Sequence, residues 1–172
     1  MVPVLRLPPL LLRPWREDDV PELAALADNR AVARNLTHLF PHPYRQSEAV
    51  DWVAMNRGPS PRRLAWAMEA EGRLVGGGGL IPGEGVFART AEIGYWIGEP
   101  FWSRGFATGF VKAVTDWAFQ ERDWLRIEAY VYAWNPASMR VLEKAGFSRE
   151  GFHPASVERF GEVGDRVPPA SE

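Results

Sequence analysis

The most constraining feature of this sequence is a strand that leads through a glycine- and arginine-bearing turn into a helix. Residues 90–97 alternate in the manner of a β-strand, and residues 107–120 carry apolar side chains at helical spacing. The turn between them contains Arg104-Gly-Phe-Ala-Thr-Gly109. Such a junction directs several backbone N–H groups and the positive end of a helix dipole at one point. The sequence therefore predicts an anion site that suits a phosphate group.

Composition limits the class of protein. The chain has 172 residues, is 46% hydrophobic and has a net charge of −2, which predicts one globular domain over residues 1–172 with a frayed tail at 167–172. The near-neutral charge favours neither direct nucleic-acid binding nor membrane binding. The sequence has no cysteine and three histidines, so we expect no disulfide, no cysteine nucleophile and no metal site. The short apolar run at 10–12 is interrupted by prolines, and we expect a cytoplasmic protein.

The pattern along the chain predicts an alternation of strands and helices. Strands are predicted at 9–14, 64–70, 73–81, 90–97 and 126–134. Helices are predicted from residue 16, at 47–56 up to a break at 58–61, at 107–120, and from Asn135 to Gly146. Strands that alternate with helices after residue 64 predict a mixed α/β (α+β) fold around a central sheet.

The other glycine-rich segment does not fit a phosphate loop. Gly76 to Gly79 continues into a strand rather than a helix, so it predicts a bulged or closely approached strand. No P-loop and no complete Gly-x-Gly-x-x-Gly follows a strand anywhere in the sequence. The junction at residues 104–109 is thus the remaining phosphate candidate, the alternative being a tight turn with an exposed arginine.

Two segments give the sequence a specific resemblance. Residues 90–109 and the segment Asn135-Pro-Ala-Ser-Met-Arg-Val-Leu-Glu-Lys-Ala-Gly-Phe147 resemble the GNAT superfamily of acyl-CoA-dependent N-acetyltransferases. The branch of the ribosomal-protein N-terminal acetyltransferases is most similar, also at residues 12–19 and 40–43. The family's turn has the form Gln/Arg-x-x-Gly-x-Gly/Ala, and here Trp102 occupies the first position. The resemblance implies a mostly antiparallel twisted sheet, splayed in the middle and flanked by about four helices.

The resemblance also implies how a cosubstrate, acetyl-CoA, is held. The pantetheine arm would lie beside the splayed strand and bond backbone groups near Trp96 and Ile97. The pyrophosphate would be held by the amides of the turn, which are those of Arg104, Gly105, Phe106, Ala107, Thr108 and Gly109. Asn135 matches the family's cofactor-contacting asparagine. Read from the residues alone, Asn135 before Pro136 is a helix N-cap.

Two side chains are candidates for moving protons. Alternation along the strand places Glu92, Gly94 and Trp96 on one face. Desolvation of a carboxylate there would raise its pKa toward the range of a useful base. Its alternative role is a structural ion pair with a nearby arginine such as Arg126. For the leaving thiolate, the resemblance implies Ser138, because Leu142 stands where many family members carry a tyrosine.

The predicted function is an N-acetyltransferase in which an amine attacks acetyl-CoA directly. The acceptor is expected to be a protein N-terminus, with a small amine (amino acid, polyamine or aminoglycoside) as the alternative. A non-catalytic acyl-CoA sensor and a generic nucleotide-binding domain are the other hypotheses. The resemblance further implies a possible homodimer.

Overall fold

A computed structural model describes residues 2–60 and 62–172. Five α-helices occur in this part of the chain, of which one has a single turn: α1 (Val20–Ala27), α2 (Arg30–Ala33), α3 (Gln46–Asn56), α4 (Phe106–Glu121) and α5 (Pro136–Lys144). Short 3-10 turns lie at Glu17–Asp19, Gly85–Phe87 and Glu99–Phe101. The predicted helices are thus present, and α2 is an addition. The helix break expected at 58–61 includes Pro61, which lies outside the described residues.

The strands form two sheets. They are β1 (Leu5–Leu7), β2 (Leu10–Arg13), β3 (Leu64–Ala70), β4 (Arg73–Pro82), β5 (Thr90–Ile97), β6 (Arg126–Glu128), β7 (Val131–Tyr132), β8 (Ser148–Arg149), β9 (His153–Arg159), β10 (Glu162–Val167) and β11 (Pro169–Ser171). Eight of them form a sheet in the order β1-β2-β3-β4-β5-β6-β11-β8, and β7-β10-β9 form a smaller one. Every pairing is antiparallel except β5 with β6. The predicted mixed fold with a mostly antiparallel sheet is confirmed.

The large sheet is buried on both faces. Along β3, Trp66 and Met68 contribute to the core layer that contains Phe110 of α4, whereas Ala65 and Ala67 contribute to the layer under α1 and α3. Side chains in a strand alternate between faces, so β3 is apolar at nearly every position. Helices α4 and α5 cover one face, and the N-terminal helices cover the other.

The sheet splays between β5 and β6. These strands pair in parallel over only three residues, and the last partners are Glu92 and Glu128. Beyond that point β5 continues to Ile97, whereas the chain after β6 enters β7 and the smaller sheet. Two carboxylates that face each other across a pair of strands oppose further pairing. The predicted splay is therefore located where two like charges meet.

The glycine run of β4 is a closely approached strand, as the sequence predicted. A Cβ at Gly77 would lie 2.7 Å from the Trp15 ring, and one at Gly78 would lie 2.5 Å from the Phe110 ring. The pairing of β3 with β4 also shifts register next to this run, between Met68 and Glu69. Large aromatic side chains from both core layers thus fill the space that these glycines leave.

Two predictions about the C-terminal half were wrong. The strand predicted at 126–134 is interrupted at Ala129 and Tyr130, because its two halves pair in different sheets. The tail expected to fray at 167–172 contains β11, which lies between β6 and β8. Ala170 in that strand is buried. The sequence pattern also missed the short or polar strands β1, β8, β9 and β10.

Substitution Gly78→Ala tests the packing at the β4 glycines. We expect it to lower the free energy of unfolding by about 1–3 kcal/mol, because the new methyl would overlap the fully buried Phe110 ring and the Gly94 carbonyl oxygen. Urea denaturation measures the effect. Gly58→Ala is the control, since nothing lies within 4 Å of its added Cβ. Equal stability of both variants would contradict the packing argument.

Candidate active site

A cavity of about 790 Å³ opens where β5 and β6 diverge. Its wall is formed by β5, the turn before α4, the start of α5, the segment after α2, and residues of β7 and β10. A volume of this size suits a cofactor or a drug-sized ligand. All of the predicted site residues line it except Gly109.

The turn before α4 is an open anion cradle. Gly105, the N-cap of α4, has φ +80°, and no side chain in the described part of the protein caps this helix end. In the same part of the chain, the amides of Gly105, Phe106, Ala107 and Thr108 have no hydrogen-bond acceptor. A Cβ added at Gly105 would meet no atom within 4 Å. Free amides, a helix dipole and open space coincide here, as anion binding requires.

Gly109 does not belong to this cradle. Its amide donates to the Gly105 carbonyl oxygen at 3.0 Å, the first regular bond of α4. An added Cβ would lie 3.5 Å from Leu10 of β2, so the glycine serves close helix-to-sheet packing. The Gly109 amide is therefore already satisfied within α4, and the cofactor contact of this residue stays a prediction.

The two large side chains of the turn make specific contacts. The Trp102 indole donates a hydrogen bond of 2.7 Å from Nε1 to the Ile97 carbonyl oxygen, which ties the turn to the end of β5. The Arg104 guanidinium lies 5.0 Å from the Phe106 ring and 3.3 Å from a Glu71 carboxylate oxygen. Arg104 lines the cavity, but its guanidinium contacts are with the protein groups Glu71 and Phe106.

The edge of β5 beyond Glu92 has no strand partner among the described residues. Its other edge pairs with β4 up to the Gly76–Ile97 pair. Trp96 packs its ring 5.3 Å from that of Phe40 on the side of the N-terminal helices, and the Ile97 side chain belongs to the opposite core layer. Both residues line the cavity. The backbone of β5 can thus accept an extended ligand along this edge.

Asn135 is the N-cap of α5. Its Oδ1 accepts a hydrogen bond of 3.3 Å from the Ser138 amide, and Pro136 occupies the first helical position. The N-cap interpretation is confirmed. Asn135 also lines the cavity, so its amide nitrogen is the group that remains for a cofactor.

Glu92 lies in the cavity wall without an ion-pair partner in the described part of the chain. Burial raises its pKa above the ordinary value of 4.5, the neighbouring Glu128 carboxylate raises it further, and the Arg166 charge opposes both. Arg126, the example given for the alternative ion pair, is not its partner, because that guanidinium pairs with Glu128 at 3.3 Å and also with Glu150 and Glu172. The arginine whose charge acts on Glu92 is Arg166. A desolvated carboxylate with a raised pKa has the properties of a general base.

Ser138 is held by a tyrosine that sequence reasoning missed. Tyr95 Oη lies 2.7 Å from Ser138 Oγ and 3.3 Å from the Ser138 carbonyl oxygen. The Tyr95 ring packs on Phe110, with centroids 6.2 Å apart. Its place on the core-facing side of β5 favoured a packing role, and no local pattern indicates that α5 begins above it. The structure thus brings Tyr95 and Ser138 together in the wall of the cavity that Glu92 also lines.

No cluster of three His, Asp or Glu side chains lies within reach of a common metal ion in residues 2–60 and 62–172. Within the same residues, each helix is too short or too polar to cross a lipid bilayer.

Comparison with known families decides the class. The model of the acetyltransferase (GNAT) domain matches residues 9–148. The chain belongs to the GNAT acetyltransferase family. That match covers β2 through the start of β8, and it includes the amide cradle, Glu92 and Ser138.

Relatives of this GNAT protein are found in Bacillus subtilis (strain 168). The chain is 40% identical to the probable N-acetyltransferase YjcK over 92 residues, which is 54% of this chain and 51% of YjcK. It is 30% identical to the uncharacterized N-acetyltransferase YoaA over 158 residues, 88% of this chain and 86% of YoaA. The matched region thus spans about half the length of the first relative and most of the second.

A solved structure with a similar fold is RimL, a ribosomal L7/L12 alpha-N-protein acetyltransferase in complex with coenzyme A. Its TM-score is 0.84 at 24% identity, with 98% of this chain and 97% of RimL covered. The likeness confirms the GNAT fold. Family membership confirms the predicted class of enzyme, an acetyl-CoA-dependent N-acetyltransferase.

Substitution Glu92→Gln tests the effect of the buried Glu92 carboxylate on stability. The raised pKa means that the charged form is disfavoured in the folded protein, so wild-type stability falls as pH rises from 4.5 through that pKa. We expect Glu92→Gln to be more stable than wild type above this window and to lose the advantage below it. Thermal unfolding across pH measures the difference. The exposed Glu84→Gln is the control, and a Glu92→Gln protein that is less stable at neutral pH would contradict the argument.

Proposed function

We propose that this GNAT protein transfers an acetyl group from acetyl-CoA to the N-terminal amine of a protein by direct attack on the thioester. The observation that carries the proposal is that one cavity contains the free amides of the α4 turn, the open edge of β5, Glu92 and Ser138. The amides supply a diphosphate site, the strand edge supplies a channel for pantetheine, and the two side chains supply the chemistry.

The cosubstrate is proposed to bind mainly through the backbone. The amides of Gly105, Phe106, Ala107 and Thr108 hold the pyrophosphate, and the β5 backbone near Trp96 and Ile97 bonds the pantetheine amides. Arg104 adds positive charge near the cradle, and Asn135 offers its amide nitrogen. This arrangement directs the thioester toward the point where β5 and β6 part, between Glu92 and Ser138.

Glu92 is proposed to act as the base. An N-terminal ammonium group titrates at about 7.7–8.0 and must release one proton to solvent before the neutral amine can attack. As the N–C bond forms and the C–S bond breaks, the amine proton passes to the Glu92 carboxylate directly or through water. The electron pair of the C–S bond leaves on sulfur as a thiolate. The raised pKa of Glu92 suits this role, since a stronger base accepts the proton more readily.

Ser138 is proposed to donate its hydroxyl hydrogen bond to the leaving thiolate, with Tyr95 as its positioning residue. Burial raises the pKa of Tyr95 to about 12, whereas an alkyl thiol titrates at about 8.5, so net proton transfer from the phenol to the thiolate is unfavourable by roughly 10³-fold. Tyr95 instead keeps its proton and donates a hydrogen bond to Ser138 Oγ. That donation leaves the serine hydrogen directed at the sulfur.

The choice of a protein N-terminus as acceptor rests on the likeness to RimL and on the shape of the site. The cavity extends from Glu92 to residues 35–37, which follow α2, and to Tyr132 of β7. An extended N-terminal segment fits such an open path, while its amine reaches the carboxylate. A small amine is the competing acceptor.

The assay is release of free thiol from acetyl-CoA with N-terminal peptides and small amines as acceptors. We expect turnover with peptides, and we expect Glu92→Gln to lower kcat about 10²-fold with CoA affinity unchanged, because the base alone is lost. Glu84→Gln is the control, and calorimetry measures CoA affinity. Turnover only with small amines would overturn the acceptor proposal. CoA binding without turnover in any acceptor would favour a sensor.

A double-mutant cycle tests the Tyr95–Ser138 pair. We expect Ser138→Ala to lower kcat about 10- to 100-fold, Tyr95→Phe to lower it roughly 10-fold, and the double variant to match Ser138→Ala, since Tyr95 acts only through the serine. The KM for acetyl-CoA should change little. Tyr44→Phe, buried in the other core layer, is the control. Additive losses in the double variant would refute this coupling.

A further inference from the structure

Arg166 of β10 lies in the wall between two cavities. The smaller cavity has a volume of about 280 Å³ and is formed by the β9–β10 hairpin and the segment after α2. It shares Thr37, Tyr132 and Arg166 with the larger cavity. Arg166 therefore faces the acceptor end of the site, away from the amide cradle at α4.

The charge of Arg166 has no carboxylate partner within 4.0 Å in the described part of the chain. Its Nε is buried without any acceptor there, Nη2 lies 3.3 Å from His153 Nδ1, and the guanidinium stacks 4.4 Å from the Tyr130 ring. An arginine in a protein stays charged and presents its donors as a planar fork. Leaving such donors unsatisfied is costly, so a ligand acceptor is expected.

Two other arginines nearby show the contrast. Arg159, also in the smaller cavity, donates to the Phe40 carbonyl oxygen at 2.6 Å and to that of Ala33 at 3.2 Å. Arg126 forms ion pairs with three carboxylates. Arg166 differs from both, because its guanidinium has no carboxylate or carbonyl partner in the described part of the chain although the residue lines both cavities.

Arg166 is close enough to Glu92 for its charge to act on that carboxylate. Other ionisable groups around Arg166 are His153, Tyr130, Tyr132, Glu128, and Glu158 of the smaller cavity. Glu128 is paired with Arg126. One cavity thus has in its wall a carboxylate and a guanidinium that both lack an ion-pair partner within 4.0 Å in the described part of the chain. This pair complements a molecule that carries an amine and a carboxylate a short distance apart.

We infer that Arg166 binds a carboxylate of the acceptor while the acceptor's amine meets Glu92. The carboxylate is either the side chain of an acidic first residue in a polypeptide or the α-carboxylate of a free amino acid. A planar guanidinium can take either one in a bidentate pair. Polyamines are disfavoured, because they bring only positive charge to Arg166. The inference rests on the proposed acetyl transfer and specifies its acceptor.

Matched acceptors test the inference. One pair is a C-terminally amidated peptide that begins with Asp and the same peptide with Asn; the other pair is a free amino acid and its amide. We expect wild type to prefer the carboxylate member of at least one pair by about 10- to 100-fold in kcat/KM. Arg166→Gln should abolish that preference by raising KM for the carboxylate acceptor. The two acceptors of a pair are compared within each variant, so that an effect of the lost arginine charge on Glu92 cancels from the ratio. Arg149→Gln, whose exposed side chain pairs with Glu143, is the control.

The two pairs identify the source of the carboxylate. Preference within the peptide pair alone assigns an acidic first residue, and preference within the amino-acid pair alone assigns an α-carboxylate. Equal kcat/KM within both pairs, or a preference that survives in Arg166→Gln, overturns the inference while leaving acetyl transfer intact. Arg166→Lys, which keeps a charge but loses the fork, should retain only part of the preference.

A binding measurement separates this inference from the proposed function. Calorimetry with the CoA-saturated protein compares the N-acetylated Asp and Asn peptides and the two N-acetylated amino-acid products, and it requires no turnover. Tighter binding of a carboxylate product, lost in Arg166→Gln, supports the inference even if no acceptor in the panel is acetylated. Equal affinities within both product pairs overturn it. Failure of CoA itself to bind would instead refute the proposed function.

Discussion

The separation of β5 from β6 is the constraint on which the site depends. Two parallel strands pair for three residues and stop where Glu92 and Glu128 face each other. Because the pairing ends there, the edge of β5 is exposed, the cavity is open and the Glu92 carboxylate is partly desolvated. Burial raises the pKa of Glu92, and Glu128, its partner in the last strand pair, raises it further. The pairing therefore ends at the same place as the carboxylate that is proposed as the base.

Binding and chemistry depend on different parts of the chain. The anion cradle is made of main-chain amides at the start of α4, and it requires only that residues there leave the amides uncovered. Trp102 can therefore stand where the family carries glutamine or arginine, because its indole bonds the Ile97 carbonyl and leaves the cradle open. The proton-moving groups, in contrast, depend on individual side chains and their immediate partners. The backbone site thus tolerates side-chain changes, whereas the roles proposed for Glu92 and Ser138 require those particular side chains.

Local pattern predicted the parts of the fold that depend on local interactions. The bounds of β5 match the prediction, α4 differs from it by one residue at each end, and the cap and start of α5 were read from Asn135 and Pro136. The β9–β10 hairpin was missed because its side chains are mostly exposed and give no apolar alternation. The tail was misread because β11 is stabilised by pairing with β6 and β8, which no local rule reveals.

The same distinction holds within the site. The cradle and Glu92 follow from one continuous segment, so sequence alone located them. Tyr95 becomes significant only when the start of α5 is brought over β5, and Arg166 only when β10 pairs with β7. The sequence also could not tell that the Gly109 amide is satisfied within α4, since the number of free amides at a helix start depends on where the helix begins. Contacts between distant segments therefore carried the information that sequence reasoning lacked.

The position of β11 has a consequence for local opening of the molecule. This strand lies between β6 and β8 in the large sheet, and β10 immediately before it carries Arg166. Transient loss of the short pairings of β11 would loosen the segment that carries Arg166, whereas the amides at the start of α4 would stay in place. Fluctuation of this edge would therefore affect the proposed acceptor side of the cavity more than the proposed diphosphate side.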